Sequence, residues 1–357
     1  MQSVIRRSAL SACWLLVANL AWAASPIGNV EQLGQRLEQL RSDVKIPAFS
    51  AAIAQGDRIV WAQGFGLADV KREIRATPTT GYHLASLTKT FAATVIMQLV
   101  EAGKIDINAP VSQYGVDLPG EIHVRHLFNH TSNGTPGTAF SYDGNRFAML
   151  TQVVETASGE SFGRLLCRQI IEPLGLRQTA PNVQDAENFK LTGLDRAAFE
   201  ANLARPYQLT TDGRFELIEY PKHFSCSAGL ISTALDVARY SIALDQGKLL
   251  KKESLVQAMS KSVAASGRRL PYGLGWFVLE HKQNTLVWHY GLWIGNSSLI
   301  IKVPERKLTY VVLANSERLT SSYLHGRGEL LTSPFARAFV EAFVTGDAQL
   351  PAESVSP

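Results

Sequence analysis

Ser86-Leu87-Thr88-Lys89 puts a hydroxyl and an amine three residues apart. On a helix those positions share one face, so the two groups can meet. A serine hydroxyl is a weak nucleophile at neutral pH and needs a neighbour to take its proton. A lysine amine can do this when it is neutral. Burial and the positive end of a helix both favour that form. The chemistry on offer is attack on a carbonyl carbon to give an acyl-serine. The same spacing recurs at Ser42-Asp43-Val44-Lys45, beside Pro47 and with no apolar helix behind it. That copy reads as a solvated helix terminus. So short a motif recurs by chance, and its surroundings must separate the two.

Other chemistries find less support. His123, His126 and His130 have spacings that can gather imidazoles, but no His-Glu-x-x-His and no carboxylate at matching distance accompanies them. No metal site is expected. Gly64-Phe65-Gly66 lacks the third glycine of a phosphate-cradling loop. No Gly-x-Ser-x-Gly elbow is expected, which argues against an α/β-hydrolase. Net charge is +4, and the Lys and Arg residues are scattered rather than striped, which excludes a nucleic-acid partner.

The elements that must hold Ser86 follow from periodicity. Val30 to Leu40 reads as an amphipathic helix on Val30, Leu33, Leu37 and Leu40, closed before Pro47. Ala48–Ala54 and Arg58–Gln63, joined by the turn Gln55-Gly56-Asp57, read as a β-hairpin. Thr88 to Ala102 is a helical run ended by Gly103. Further helices are expected at Val124–Phe128, Arg146–Ser158, Phe162–Ile171 and Leu230–Gln246, the last capped by Ser232 or Thr233. The stretch 178–219 reads as loops with short helices. Strand texture returns at Gly273–Leu279, Thr285–His289, Ser297–Val303 and Leu308–Ala314, and Phe335–Val344 closes the chain as a helix. Strands thus lie at both ends and helices between. This implies an α+β (α/β) fold with an antiparallel sheet built from both termini and an inserted, mainly helical region.

Residues 1–23 read as a secretory leader: Arg6 and Arg7, an apolar stretch from Leu10 to Leu20, then Ala21-Trp22-Ala23. The apolar stretch falls short of the about 20 residues of a membrane span. Removing the leader takes two arginines and lowers the net charge from +4 to +2. The expected location is periplasmic or secreted. Leu10-Ser11-Ala12-Cys13 is set aside as a lipoprotein box, because the apolar run follows the cysteine instead of preceding it. Cys167 and Cys226 remain, either paired, as export allows, or buried and inert. Residues 24–345 read as one hydrolase domain, with a sheet region at 24–85 and 226–345 and a helical region at 86–225. Residues 346–357 read as a frayed tail.

The order of short segments resembles a known family: the class C β-lactamases, their D-alanyl-D-alanine peptidase relatives and the related esterases. The resemblance rests on Gly64-Phe65-Gly66-Leu67-Ala68-Asp69, on His83 to Thr90, and on His126-Leu127-Phe128-Asn129-His130-Thr131-Ser132. It continues through Pro173-Leu174-Gly175-Leu176, Ser227 to Tyr240, Tyr272-Gly273-Leu274-Gly275-Trp276 and Pro304 to Asn315. It runs from about Val30 to Phe343 and implies a β-lactamase/transpeptidase-like fold.

The resemblance implies that Ser86 is acylated and that Lys89 shares its proton. The family's Tyr-x-Asn falls at Tyr142-Asp143-Gly144, which makes Tyr142 a catalytic candidate. Gly144 replaces the Asn, and Asn145, one residue later, could substitute if the loop shifts. The third motif falls at His289-Tyr290-Gly291, where most β-lactamases have Lys-Thr-Gly. Gly291 would let substrate lie against the strand, and the backbone N–H groups of Ser86 and Leu292 would form the oxyanion hole. His289 would offer a weak cation or donor to a carboxylate. Loss of the Asn and the Lys argues against an efficient β-lactamase and for an esterase or weak peptidase. The expected enzyme is a monomer without cofactor, acting on a small-molecule or peptidoglycan-derived substrate. A catalytically silent protein that binds peptidoglycan or a partner is the competing reading.

Overall fold

The computed structural model describes residues 27–353. The expected leader lies outside them.

Helix Val30–Asp43 buries Leu33, Leu37 and Leu40, and the Asn29 side chain caps it by accepting from the Gln32 N–H. Its exposed end carries the second Ser-x-x-Lys, with Ser42 and Lys45 in solvent. The hairpin Ala48–Gln55 and Arg58–Asp69 forms as its turn predicts. It then joins strands from the far end of the chain. The order across the seven-stranded sheet is Ile74–Arg75, Arg58–Asp69, Ala48–Gln55, Leu308–Ala314, Asn296–Val303, Asn284–Trp293, Phe277–His281. Every pair is antiparallel.

Alternation along the strands makes two cores. Val311 and Leu313 face the helical region, where Phe91, Val95, Phe128 and Val153 are buried. Tyr310 and Val312 face the other way, onto Leu33, Leu37, Phe335 and Phe339 of the first and last helices. Strand Asn296–Val303 is buried along its whole length because both faces are covered. The result is three layers, with the inserted helical region on one side of the sheet.

Several expected elements differ. The stretch 178–219, expected as loops with short helices, also holds a hairpin of Tyr207–Leu209 and Phe215–Leu217. The run Leu230–Gln246 is not one helix. Leu230–Ser232 is a short strand, paired with Tyr82–His83 and Ala180–Pro181, and the helix is Ala234–Asp245. Thr233 divides them, its side chain accepting from the Asp236 N–H as an N-cap. That small sheet anchors the segment entering Ser86. The expected helix Arg146–Ser158 starts at Gly144 and breaks into Gly144–Ala148 and Leu150–Ser158. The strand expected from Gly273 begins at Phe277, because Gly275 turns the chain at φ +81°. Of the tail expected to fray from Gly346, residues up to Gln349 are held, since the Gln349 N–H donates to the Gly28 carbonyl at 2.9 Å.

Cys167 and Cys226 are buried and unpaired. Burial pushes both thiols up to about 12, so they stay protonated and inert. Among the described residues no helix is long and apolar enough to cross a membrane.

Candidate active site

Ser86 lies in a tight 3-10 turn, Ala85–Leu87, that runs straight into helix Thr88–Glu101. Ala85 holds φ +48°, a sterically costly backbone for a residue with a Cβ. The surroundings fix that conformation. The Ala85 N–H donates to His83 Nδ1 at 3.0 Å, and Thr88 Oγ1 donates to the Ala85 carbonyl at 2.7 Å. The turn thereby presents Ser86 outward. From Thr80 to Met97 every residue is buried except Ser86, which is partly open.

Lys89 is fully buried one helical turn later. Its Nζ lies 2.9 Å from Ser86 Oγ and donates to the Ser227 carbonyl, also at 2.9 Å. The Tyr142 and Phe147 rings each sit 5.3 Å from the amine. Burial lowers the Lys89 pKa to about 7, against the opposing pull of Asp143. An amine so placed is a usable base near neutral pH.

The Tyr142 hydroxyl is buried and unpartnered. Burial, with the neighbouring Tyr290 phenol, pushes its pKa well above the ordinary value. Tyr142 is therefore a protonated phenol at neutral pH, suited to donating or relaying a proton rather than to acting as phenolate. An unsatisfied buried hydroxyl is costly unless a ligand meets it.

Tyr142 is oriented by its neighbours. His130 packs against it at 4.4 Å and accepts the Asp143 N–H on Nδ1 at 3.1 Å. Asp143 caps the helix Gly144–Ala148 by accepting from Asn145 N and Arg146 N. Gly144 stands beside the lysine: a Cβ there would lie 3.9 Å from Lys89 Nζ. Asn145 is exposed, and only its backbone N–H is hydrogen-bonded, to Asp143. The structure does not bring Asn145 to Lys89, because the cap fixes the loop that would have to shift.

The third segment lies on strand Asn284–Trp293. Pairing with Phe277–His281 stops at Trp288, so residues 289–293 have a strand neighbour on one side only. Gly291 packs directly on the Ala85–Leu87 turn: a Cβ there would come 2.1 Å from the Leu84 carbonyl oxygen and 3.1 Å from Ala85 Cβ. Leu292 follows at the rim, 38% exposed. Tyr290 faces Tyr142 with ring centroids 5.6 Å apart.

His289 departs from expectation. It is fully buried, with Nδ1 at 2.7 Å from the Tyr290 carbonyl and Nε2 at 2.9 Å from Tyr272 Oη. A carbonyl only accepts, so Nδ1 carries the proton and Nε2 accepts from Tyr272. Burial, with the nearby Lys89 charge, holds its pKa well below the ordinary value. His289 is a neutral, doubly bonded residue inside an aromatic cluster. It supplies neither a cation nor a free donor to a substrate carboxylate.

Sequence reasoning passed over several contributors. The Ser227 carbonyl fixes Lys89, and no residue type signals a backbone acceptor. Ser227 also begins a chain of hydroxyls: its Oγ is 3.0 Å from Ser225 Oγ, which is 2.7 Å from His223 Nε2. Gly159-Glu160-Ser161-Phe162-Gly163 has Gly-x-Ser-x-Gly spacing, yet it follows a helix, and Ser161 merely caps Phe162–Leu166. His126 Nδ1 accepts from the His123 N–H at 3.2 Å, an ordinary helix start. Among the described residues no three His, Cys, Asp or Glu side chains are placed to hold a metal. Two cavities, of about 590 and 610 Å³, are lined by residues of the first helix and do not include Ser86.

Gly291→Ala tests the close approach. The added methyl must separate the strand from the Ala85–Leu87 turn, and a displacement of about 1 Å can cost about 100-fold in rate. A loss of that order in kcat/KM for an activated ester is expected, with the far-UV circular dichroism unaltered.

Known proteins are similar to this chain in sequence and in fold. Protein flp of Staphylococcus aureus (strain MW2) is 24% identical over 324 residues, 78% of this chain and 61% of its own. The chain therefore spans under two thirds of that relative. The octameric penicillin-binding protein homologue from Pyrococcus abyssi superposes with a TM-score of 0.72 at 25% identity, covering 85% of this chain and 76% of that one. A D-amino acid amidase from Ochrobactrum anthropi SV3 superposes at 0.69 with 19% identity, covering 87% and 98%. The model of the β-lactamase family matches residues 33–330, from the first helix through Ser86, Lys89 and the strand of Gly291, and the chain belongs to that family.

Proposed function

We propose that the protein is a serine hydrolase working through an acyl-enzyme on Ser86. The observation that carries this reading is the buried Lys89 amine, 2.9 Å from Ser86 Oγ and with its pKa lowered to about 7. Neutral Lys89 takes the Ser86 proton as Oγ attacks an ester, amide or lactam carbonyl. The backbone N–H groups of Ser86 and Leu292 hold the oxyanion, a role supported by the close packing of Gly291 on the nucleophile turn. Tyr142 passes a proton to the leaving group and recovers it from Lys89. Water then attacks the acyl-serine, and its proton returns by the same groups. All these residues come from one chain, so the reading requires no second subunit. Export follows from the leader pattern of residues 1–23. It is tested by sequencing the mature N-terminus, with Ala24 expected first.

Gly144 is where the family resemblance places an asparagine. Gly144→Asn would return an amide beside Lys89, since the space next to Nζ is open there. One hydrogen bond to a charged or polarised partner contributes about 1.5 kcal/mol, roughly tenfold in rate. Acylation by benzylpenicillin, followed by stopped-flow, is expected to quicken by about that factor. An unchanged or slower rate would mean that Gly144 is not the missing position.

A further inference from the structure

The strand that passes Ser86 ends in an apolar lip. Leu292 is 38%, Trp293 37% and Ile294 57% exposed, in an otherwise buried strand and its turn. With Glu317 and Ser321 they line a cavity of about 450 Å³. A Cβ on Gly295 would come 2.5 Å from Ile218 Cδ1 and 3.0 Å from Pro206 Cβ, so the turn rests on that segment. The same segment carries Leu217, 57% exposed, at the end of the hairpin strand Phe215–Leu217. Trp293 lies with its ring 6.4 Å from His83, three residues before Ser86, and 6.0 Å from His223, with nearly parallel rings. Exposed apolar side chains gathered at one place mark a binding surface.

Charge narrows the occupant. His289 is neutral and has no free donor. The one ionisable group lining the cavity is the acidic Glu317, whose Oε2 accepts from the Gly295 N–H at 3.3 Å. Among the described residues that line it, a substrate carboxylate finds no cation and faces the Glu317 carboxyl.

Resting on the acyl-enzyme reading above, we propose that this lip is the acyl subsite, and that the substrates are neutral esters with a medium-length apolar acyl chain. The lip continues the strand that carries the Leu292 amide, so an acyl group with its oxygen at that amide extends onto Trp293 and Ile294. Ser86 Oγ forms the new ester bond to the acyl carbon as the alcohol leaves with a proton. Water then cleaves that ester to release the fatty acid and restore the Ser86 hydroxyl.

The test compares kcat/KM for p-nitrophenyl acetate, butyrate, octanoate and hemisuccinate. Octanoate is expected to exceed acetate by at least about tenfold, the effect of burying two or more methylenes. Hemisuccinate is expected to fall below butyrate by at least about tenfold. Ile294→Ser and, separately, Trp293→Ser should each lower the octanoate-to-acetate ratio several-fold. Both side chains are surface-exposed, so a folded variant is expected and is checked by circular dichroism. A flat chain-length profile, preference for hemisuccinate, or an unchanged ratio in both variants would overturn the proposal. Ser86→Ala keeps the two claims apart. If it still hydrolyses these esters, the acyl-enzyme reading fails. If it is inactive while the wild-type profile is flat, only the apolar subsite fails.

Discussion

Ser86→Ala is expected to lower ester turnover by at least about 1000-fold, to the residue of catalysis that binding and the oxyanion donors supply without a nucleophile. The fold should survive. Ser86 is the partly open residue of a buried segment, and Lys89 keeps its bond to the Ser227 carbonyl. Unchanged thermal unfolding together with lost turnover would separate a chemical role from a structural one. The equivalent change at Ser42 should do nothing to activity. That copy of the motif lies in solvent at the end of Val30–Asp43.

Lys89→Met carries the second large effect, in two opposed directions. Activity should fall by about 1000-fold, since among the described residues no other base is hydrogen-bonded to Ser86 Oγ. The wild-type acylation rate should rise as pH passes through about 7, the lowered pKa of Lys89, because only the free amine accepts the serine proton. Stability should move the other way. In the unfolded chain the lysine regains its ordinary value of 10.5, so between about 7 and 10.5 the unfolded state holds a proton that the folded state lacks. Folded stability therefore rises with pH across that window, and below about 7 the whole cost of a buried ammonium is present. Lys89→Met removes that cost. Its midpoint of unfolding should exceed that of the wild type, by more at about pH 6 than at about pH 10. A variant less stable at about pH 6 would mean that the pocket does not disfavour the charged amine.

The meeting of Ser86 and Lys89 was legible because it is local. Positions 86 and 89 share a helix face by geometry alone, and the apolar run after them marks that helix as buried. What completes the pocket was not legible. The Ser227 carbonyl comes from a segment 138 residues away, and a backbone oxygen leaves no trace in residue type. The split of 230–246 into strand and helix was missed for a related reason. Leu230 and Ile231 fit either period, and the small sheet with Tyr82–His83 that decides between them is non-local. His289 shows the opposite failure. It was expected at the end of a strand, but the strand runs on to Trp293, and the partners of its ring were not foreseen. Tyr272, far away in sequence, holds Nε2 and turns a presumed substrate contact into core.

Intact-protein mass spectrometry on the mature enzyme, quenched during turnover of p-nitrophenyl octanoate, tests the central claim most directly. The account predicts one acyl group per chain, mapped by peptide digestion to Ser86 and absent from Ser86→Ala. Steady hydrolysis with no adduct in the wild type, and undiminished hydrolysis by Ser86→Ala, would contradict it.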